Sequence, residues 1–181
     1  KWIDTLMKNK FILNDCRYIK SDNFDERAEG SLIDTIILHC ISLPECAYDN
    51  NNVIDLFTNK LSIDKHPSFE DLRSVRVSSH IFIRRSGEII QFIPFDKRAW
   101  HAGKSSYKGR TNFNDFSICI ELEGSVKDTY TDKQYEELKK CILFLKELFP
   151  SIQDSNILGH SDIAPDRKAD PGPKFSWERI L

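Results

Sequence analysis

A loop rich in proline, glycine and ionisable side chains, residues 159–173, lies near the end of the chain. It contains His160, Lys168 and Asp170. Its prolines exclude a regular helix or a central strand, because proline lacks a backbone N–H and restricts the backbone. The ionisable side chains must therefore project from a rigid, irregular backbone, and a histidine and an aspartate presented in this way favour metal binding.

His39 is the best candidate for a further ligand outside this loop. A catalytic zinc ion usually has three protein ligands and a fourth position open to water, so His160 and Asp170 need one partner. His39 follows the mostly apolar run at residues 33–38, which is typical of a buried strand, and a strand end is a rigid platform. No short metal-binding pattern joins His39 to His160. Spacing alone therefore leaves open that either histidine is an ordinary buried residue.

A second candidate group lies on the apolar segment at residues 118–123. Side chains alternate along a strand, so Cys119, Glu121 and Glu123 share one face, while the isoleucines and leucine between them share the other. A carboxylate on a pocket-facing side can take a proton from water activated by a metal. Glu121 and Glu123 would lie roughly 7 Å apart, too far for both to contact one water. The alternation does not choose between them.

Residues 32–179 resemble the zinc-dependent N-acetylmuramoyl-L-alanine amidases, and the likeness rests on five blocks of sequence within this span. The blocks are ILHCISLP at 37–44, RVSSH at 76–80, PFDKRAWHAG at 94–103, NDFSICIELEG at 114–124 and GHSDIAPDRKADPGP at 159–173. The likeness is strongest to the cytosolic members that act on anhydro-muropeptides. It implies that His39, His160 and Asp170 bind Zn²⁺ and that Glu121 and Lys168 take part in catalysis.

The reaction implied by this resemblance is hydrolysis of the amide between the lactyl group of (1,6-anhydro-)N-acetylmuramic acid and the L-alanine of the stem peptide, in peptidoglycan recycling. Glu121 would activate water and later protonate the leaving amine. Lys168 would stabilise the negative charge that develops on the carbonyl oxygen. Without the resemblance, Lys168 would be read as an ordinary surface lysine. No organic cofactor is implied.

Four residues are candidates for substrate contact. Trp100 offers an aromatic plate for a sugar ring, although a core position is the alternative, and His101 beside it offers a hydrogen-bonding imidazole. Arg76 suits a two-point contact with a stem-peptide carboxylate, and the resemblance points the same way. Phe57 is expected to add an apolar contact.

The chain departs from the family pattern at two peripheral positions. Cys40 follows the first predicted ligand where the family has an asparagine, and Asn112 stands where a second peptide-binding arginine is expected. Arg110 lies nearby in the sequence and is a candidate to replace that arginine. These departures affect the expected peptide preference rather than the metal chemistry.

Composition favours a soluble protein that acts on a small substrate; the resemblance implies that this substrate is a small muropeptide, and a monomer is expected. The chain has 181 residues and a formal net charge of −2, which suits one domain and provides no basic surface for nucleic acid. No apolar run approaches the roughly 18 residues of a membrane span, and the visible N-terminus has no signal-peptide pattern. It also lacks an initiator methionine, so an upstream segment is expected to have been trimmed. The five cysteines show no paired spacing, which favours free thiols and, with the resemblance, a cytoplasmic location.

The predicted organisation is an N-terminal surface segment at 1–30, packed on a zinc amidase domain at 31–181. The expected anchors of the segment are Trp2, Phe11, Ile12, Tyr18 and Phe24. A short helix is predicted within 51–61, a hairpin within 81–92, and a long helix that begins with a capping box at Thr131 and ends before Pro150. Strands and helices interleave, so the expected fold is α/β (mixed α+β), a single domain with a central mixed β-sheet flanked by helices.

Two other functions compete with a metal-dependent amidase. A non-catalytic module of similar fold would bind muropeptides without cleaving them, but the chain keeps all three predicted ligands. A cysteine hydrolase would use Cys40 or Cys119, yet no neighbouring base in the sequence marks either thiol as activated. His80 is expected to be a buried structural histidine rather than a fourth ligand.

Overall fold

A computed structural model describes residues 10–181 of the protein. The predicted anchor Trp2 lies outside the described residues. The strands are β1 (Arg17–Tyr18), β2 (Phe24–Asp25), β3 (Thr35–Ile41), β4 (Ile81–Ile83), β5 (Ile89–Gln91), β6 (Arg98–Ala99), β7 (Ser106–Tyr107), β8 (Arg110–Thr111), β9 (Ser117–Glu123) and β10 (Ile157–Gly159). The α-helices are α1 (Asn52–Phe57), α2 (Asp132–Leu148) and α3 (His160–Ile163).

The central sheet has six strands in the order β1-β5-β4-β9-β3-β10. The β4–β5 pair is antiparallel and the other pairs are parallel, so the predicted mixed sheet is confirmed. In the β3–β9 pair, His39 stands opposite Glu121. Because parallel strands end at the same edge of a sheet, His39 and Glu121 lie together near that edge.

Helix α2 covers one face of the sheet and has the predicted start. The Thr131 hydroxyl accepts a hydrogen bond from the Gln134 N–H at 3.1 Å. The Gln134 side-chain oxygen in turn accepts one from the Thr131 N–H, also at 3.1 Å. The buried side chains of α2 pack with Ile118, Ile120 and Leu122 of β9 in the main core. This face of β9 is therefore core, as the alternation predicts, and its other face carries Glu121.

Helix α1 packs on the opposite side and is shorter than predicted. It ends at Phe57, and Asn59 follows in a left-handed conformation (φ 59°), which an α-helix cannot continue through. The Phe57 ring is only 2% exposed and lies edge-on to Phe92, with ring centroids 5.3 Å apart. Phe57 is therefore a core residue, and the predicted apolar contact with substrate is corrected for this reason.

The described part of the N-terminal segment is integrated into the fold. Strand β1 extends the central sheet beside β5, and β2 pairs with β6. Arg27 reaches further inward, where its guanidinium donates hydrogen bonds to the backbone carbonyls of Asn114, Asp115 and Ser117 at 2.8–3.1 Å. A boundary between this segment and the rest of the chain at residue 30 stays a prediction. Within residues 10–181, none of the helices has the length and apolar character needed to cross a bilayer.

Candidate metal centre

Three side chains from separate elements meet at one edge of the central sheet. His39 comes from the last part of β3, His160 opens α3 directly after β10, and Asp170 comes from the following loop. The Asp170 Oδ2 atom lies 3.2 Å from His39 Nδ1 and 3.2 Å from His160 Nδ1. All three ligand atoms lie within 4.8 Å of one another. The structure thus brings together the three predicted ligands.

The local sequence explains why Asp170 returns to the two histidines. The Ser161 N–H donates a hydrogen bond to the Asp170 carbonyl at 3.0 Å, which folds the loop back over the start of α3. Gly159 makes this close approach possible, because a Cβ atom there would lie 2.8 Å from Cδ of Pro171. The glycine and proline of the loop therefore serve the geometry of the ligand set.

The donor set fits a divalent metal ion of the zinc type. The His160 Nε2 lies 3.1 Å from the Ala102 carbonyl, which can only accept, so this nitrogen carries the proton and Nδ1 offers a lone pair. Burial lowers the pKa of His39 to about 4, so its ring is neutral near pH 7. Two imidazoles and one carboxylate oxygen form a common zinc ligand set that leaves a position open.

Glu121 lies beside the ligands and has an uncommitted oxygen. Its Oε1 is 3.9 Å from His39 Nδ1, while its Oε2 is buried and has no hydrogen-bond partner among the described residues. Burial, reinforced by the negative charge of Asp170, raises the pKa of Glu121 well above its usual range. A carboxyl group with these properties can exchange a proton close to the metal position.

Glu123 has a different environment from Glu121. Its Oε1 accepts a hydrogen bond from the Asp49 N–H at 2.9 Å, and its Oε2 accepts one from the Arg85 N–H at 2.9 Å. Both oxygens are therefore used to hold two backbone segments. Of the two carboxylates that the strand alternation left open, only Glu121 has a free oxygen near the ligands.

Lys168 and Cys40 line a cavity of about 260 Å³ that reaches Asp170. Lys168 is exposed, and its backbone N–H donates to the Ala164 carbonyl at 2.9 Å. The side chain thus projects from a hydrogen-bonded turn next to a ligand. Cys40 occupies the part of the cavity nearest the end of β3.

The two predicted substrate contacts Trp100 and Arg76 lie at different places. Trp100 is half-buried, and its carbonyl accepts a hydrogen bond from the Ser78 N–H at 3.1 Å. Arg76 is exposed and lines a separate cavity of about 340 Å³ between α1 and the following turns. Both therefore stay predictions.

His101 makes contacts that differ from those predicted. Its Nδ1 lies 3.0 Å from His39 Nε2 and its Nε2 lies 3.1 Å from the Ser117 hydroxyl. Neither ring nitrogen is free for a sugar hydroxyl, so the predicted substrate hydrogen bond is corrected to one with a ligand histidine. The sequence did not identify Ser117 or the Ala102 carbonyl, because a small hydroxyl and a backbone carbonyl leave no distinctive pattern.

Arg110 does not replace the arginine that is missing at position 112. Its guanidinium forms an ion pair with Asp34 at 3.2 Å and lies 3.7 Å from the ring centroid of Phe116. Asn112 itself lines a cavity of about 670 Å³ that also includes Lys104 and Arg167. Any carboxylate bound on this side would meet those two cations rather than Arg110.

Neither candidate thiol has an activating base. Burial raises the pKa of Cys40 to about 12 and that of Cys119 well above its usual range. The nitrogens nearest Cys119, His39 Nε2 and His101 Nδ1, are hydrogen-bonded to each other. His80 is structural as predicted, since it accepts from the Cys119 N–H at 3.0 Å and donates to the Lys97 carbonyl at 2.9 Å. The arrangement therefore argues against a cysteine hydrolase.

Comparisons with known proteins show that the chain is similar to amidases. The Amidase_2 family model, described as N-acetylmuramoyl-L-alanine amidase, matches residues 29–173. The 1,6-anhydro-N-acetylmuramyl-L-alanine amidase AmpD of Salmonella typhimurium (strain SL1344) is 45% identical over 175 residues, which are 97% of this chain and 93% of the relative.

Solved structures that are similar to this chain are also amidases. A crystal structure of a Se-Met AmpD derivative has a TM-score of 0.92 and 44% identity, covering 95% of this chain and 96% of that one. The amidase AmiD from E. coli, in complex with the substrate anhydro-N-acetylmuramic acid-L-Ala-D-gamma-Glu-L-Lys, has a TM-score of 0.59 and 26% identity, covering 87% of this chain and 64% of that one.

Proposed function

The chain belongs to the N-acetylmuramoyl-L-alanine amidase family, and from this premise we propose that it hydrolyses the amide between the lactyl group of 1,6-anhydro-N-acetylmuramic acid and the L-alanine of the stem peptide. The observation that carries the proposal is the convergence of His39, His160 and Asp170 beside the free Glu121 oxygen. The anhydro-muropeptide class is supported by the relatives named for that activity and by the substrate bound to the similar amidase AmiD.

The ligand set is proposed to hold one Zn²⁺ ion through His39 Nδ1, His160 Nδ1 and Asp170 Oδ2. When bound, zinc polarises a carbonyl group and acidifies water, which brings the pKa of that water to about 7. The remaining tasks fall to the side chains around the ligands.

Glu121 is proposed to move the proton. Its Oε2 takes a proton from the attacking water and later delivers it to the nitrogen of the leaving L-alanine, which is general base and then general acid catalysis. The buried setting suits both steps, because burial raises the pKa of the Glu121 carboxyl above its usual range and so makes it a stronger proton acceptor than an exposed carboxylate.

Lys168 is proposed to stabilise the oxygen of the scissile carbonyl as negative charge develops. Its place on the wall of the cavity that reaches Asp170 supports this role, since a positive charge at that wall faces a substrate entering the cavity. Trp100 is proposed to contact the sugar and Arg76 a peptide carboxylate. The exposure of Arg76 and the partial exposure of Trp100 leave both available to a ligand.

The biological setting is proposed to be peptidoglycan recycling by a monomer in the cytoplasm. The five cysteines, all described, are free thiols, which supports a reducing compartment. The cavity that reaches Asp170 has a volume of about 260 Å³, which suits part of a small ligand rather than a macromolecule. Neither nucleic acid nor a membrane is required as a partner.

The test is to incubate the purified protein with soluble anhydro-muropeptide and, in parallel, with intact cell wall, and to identify products by mass spectrometry. We expect release of free stem peptide from the soluble substrate, loss of release after treatment with a chelator, and recovery on adding zinc. Binding without cleavage would instead identify a recognition module. Cleavage that persists in fully metal-free protein would contradict a metal-dependent mechanism.

A further inference from the structure

The ligand histidine His39 contacts a second histidine on its far side. His39 Nε2 lies 3.0 Å from His101 Nδ1, and the two rings meet edge to face with centroids 5.1 Å apart. His101 Nε2 continues to the Ser117 hydroxyl at 3.1 Å, and that hydroxyl hydrogen-bonds to the Phe113 carbonyl. A chain of three hydrogen bonds therefore runs from a ligand into the backbone before β9.

The carbonyl at the end of this chain sets the direction of every bond in it. A carbonyl can only accept, so the single hydroxyl hydrogen of Ser117 points to Phe113. The Ser117 oxygen must then accept from His101 Nε2. With the hydrogen on its Nε2 directed to Ser117, His101 presents its Nδ1 to His39 as the acceptor. His39 Nε2 is then the donor in this hydrogen bond, and His39 Nδ1, on the side of Asp170, is the nitrogen left for a metal.

Ala102, which follows His101 in the chain, hydrogen-bonds to the second ligand histidine, His160. The Ala102 carbonyl accepts from His160 Nε2 at 3.1 Å, so His160 Nδ1 is the ring nitrogen that faces Asp170. The Asn114 side-chain oxygen accepts from the backbone N–H groups of both His101 and Ala102, at 3.2 and 2.8 Å. One dipeptide, held by one amide side chain, therefore contacts the outer nitrogens of both ligand rings.

We propose that His101 and Ser117 are positioning residues that hold His39 in the tautomer and orientation required for binding the metal. They act through His39 and do not touch the substrate. The proposal deepens the proposed function, because it rests on the zinc site formed by His39, His160 and Asp170. The partner of His39 is an imidazole rather than a carboxylate, so it sets the ring orientation without adding negative charge next to Glu121 and Asp170.

Four variants test the proposal. His101→Phe keeps a planar ring but removes both hydrogen bonds, whereas His101→Gln retains an amide oxygen that can accept from His39. Ser117→Ala removes the acceptor of His101 Nε2 together with the hydrogen bond from the hydroxyl to the Phe113 carbonyl, and leaves His101 itself unchanged. Ser79→Ala is the matched control, because Ser79 is a fully buried serine whose hydroxyl has no hydrogen-bond partner among the described residues.

Two measurements are made on each variant. Zinc affinity, determined by competition with a chromogenic chelator, is expected to fall about 10- to 100-fold in His101→Phe, which is the usual scale for losing an outer-shell partner, and to recover in part in His101→Gln. The ¹⁵N NMR spectrum of the imidazoles in metal-free protein is expected to show His39 protonated at Nε2 in wild type and in Ser79→Ala. In Ser117→Ala, a share of the His39 signal should move to the Nδ1-protonated form.

The outcomes separate this proposal from the proposed function. Wild-type zinc affinity in a folded His101→Phe variant, or a wild-type protein with His39 protonated at Nδ1, would overturn the positioning role. If His101→Phe does not fold, the spectra of wild type and Ser117→Ala decide. A wild-type protein that binds no zinc but shows the expected tautomer would overturn the metal site while leaving the hydrogen-bond chain intact.

Discussion

Two glutamates on the same face of β9 should respond in opposite ways to replacement by glutamine. Glu121 has a buried oxygen without a partner among the described residues, and Glu123 has both oxygens bonded to backbone N–H groups. The substitutions Glu121→Gln and Glu123→Gln make the same chemical change two residues apart. A catalytic role and a structural role can therefore be separated within one strand.

Glu121→Gln should reduce turnover by about 100-fold or more, the usual scale of general acid–base assistance, because an amide cannot take a proton from water. The same substitution should not destabilise the fold. Burial disfavours the charged carboxylate, as the raised pKa of Glu121 indicates, so a neutral amide of the same shape leaves the free energy of unfolding unchanged or higher. Zinc content should stay near wild type.

Glu123→Gln should retain turnover and lose stability. The new NH₂ group faces the N–H of Asp49 or of Arg85, so one partly buried donor loses its acceptor, at a cost of about 1 kcal/mol. For a chain of 181 residues this corresponds to a melting temperature lower by about 2 to 4 °C.

The assay combines chromatographic measurement of stem-peptide release with thermal unfolding followed by circular dichroism. Near-normal turnover in Glu121→Gln would refute the assignment of the proton-transfer role to this residue. Loss of turnover in Glu123→Gln without a change in melting temperature would show that Glu123 takes part in the chemistry, which its hydrogen bonds argue against.

Three further substitutions test other parts of the account. Asp170→Ala should leave less than one zinc per chain after dialysis and lower activity in parallel, since two imidazoles remain; full occupancy by elemental analysis would remove Asp170 from the ligand set. Trp100→Ala should raise KM for anhydro-muropeptide by about 10-fold, corresponding to about 1.4 kcal/mol of lost ring contact, and an unchanged KM would move the sugar site elsewhere. Burial lowers the pKa of His80 to about 3 in the folded protein, whereas an unfolded chain protonates this histidine near pH 6.5. Because the unfolded chain binds the extra proton between these values, the free energy of unfolding should decrease as the pH falls from about 6.5 to about 3. His80→Gln, which can keep both hydrogen bonds, should flatten that decrease in urea unfolding; an unchanged pH profile would contradict it.

The elements that position the site could be predicted from local patterns. Apolar runs marked β3 and β9, and the capping box at Thr131 marked the start of α2, because burial of a strand and satisfaction of helix-end N–H groups depend on nearby residues. The position of Glu121 opposite His39 depends on the parallel pairing of β3 with β9, which the local patterns did not predict. The choice of His39, His160 and Asp170 as ligands depended on the family resemblance, since residues so far apart in sequence have no local signature.

The mistaken and missed residues share one physical cause. Helical spacing places Phe57 on the apolar face of a helix but does not say whether that face meets the core or a cleft. In the structure Phe57 lies in the core. Whether His101 and Arg110 are available to a ligand depends on partners distant in sequence, His39 and Asp34. The inward reach of Arg27 to the carbonyls before β9 is equally a product of tertiary packing.

The central claim is that His39, His160 and Asp170 bind one divalent ion with a position left open. Anomalous diffraction at the zinc edge, from crystals of protein loaded with zinc, tests it most directly. We expect one peak at about 2.0 to 2.2 Å from His39 Nδ1, His160 Nδ1 and an Asp170 carboxylate oxygen. A peak at another group of residues, or no peak from a preparation that cleaves anhydro-muropeptide at full rate, would contradict the claim.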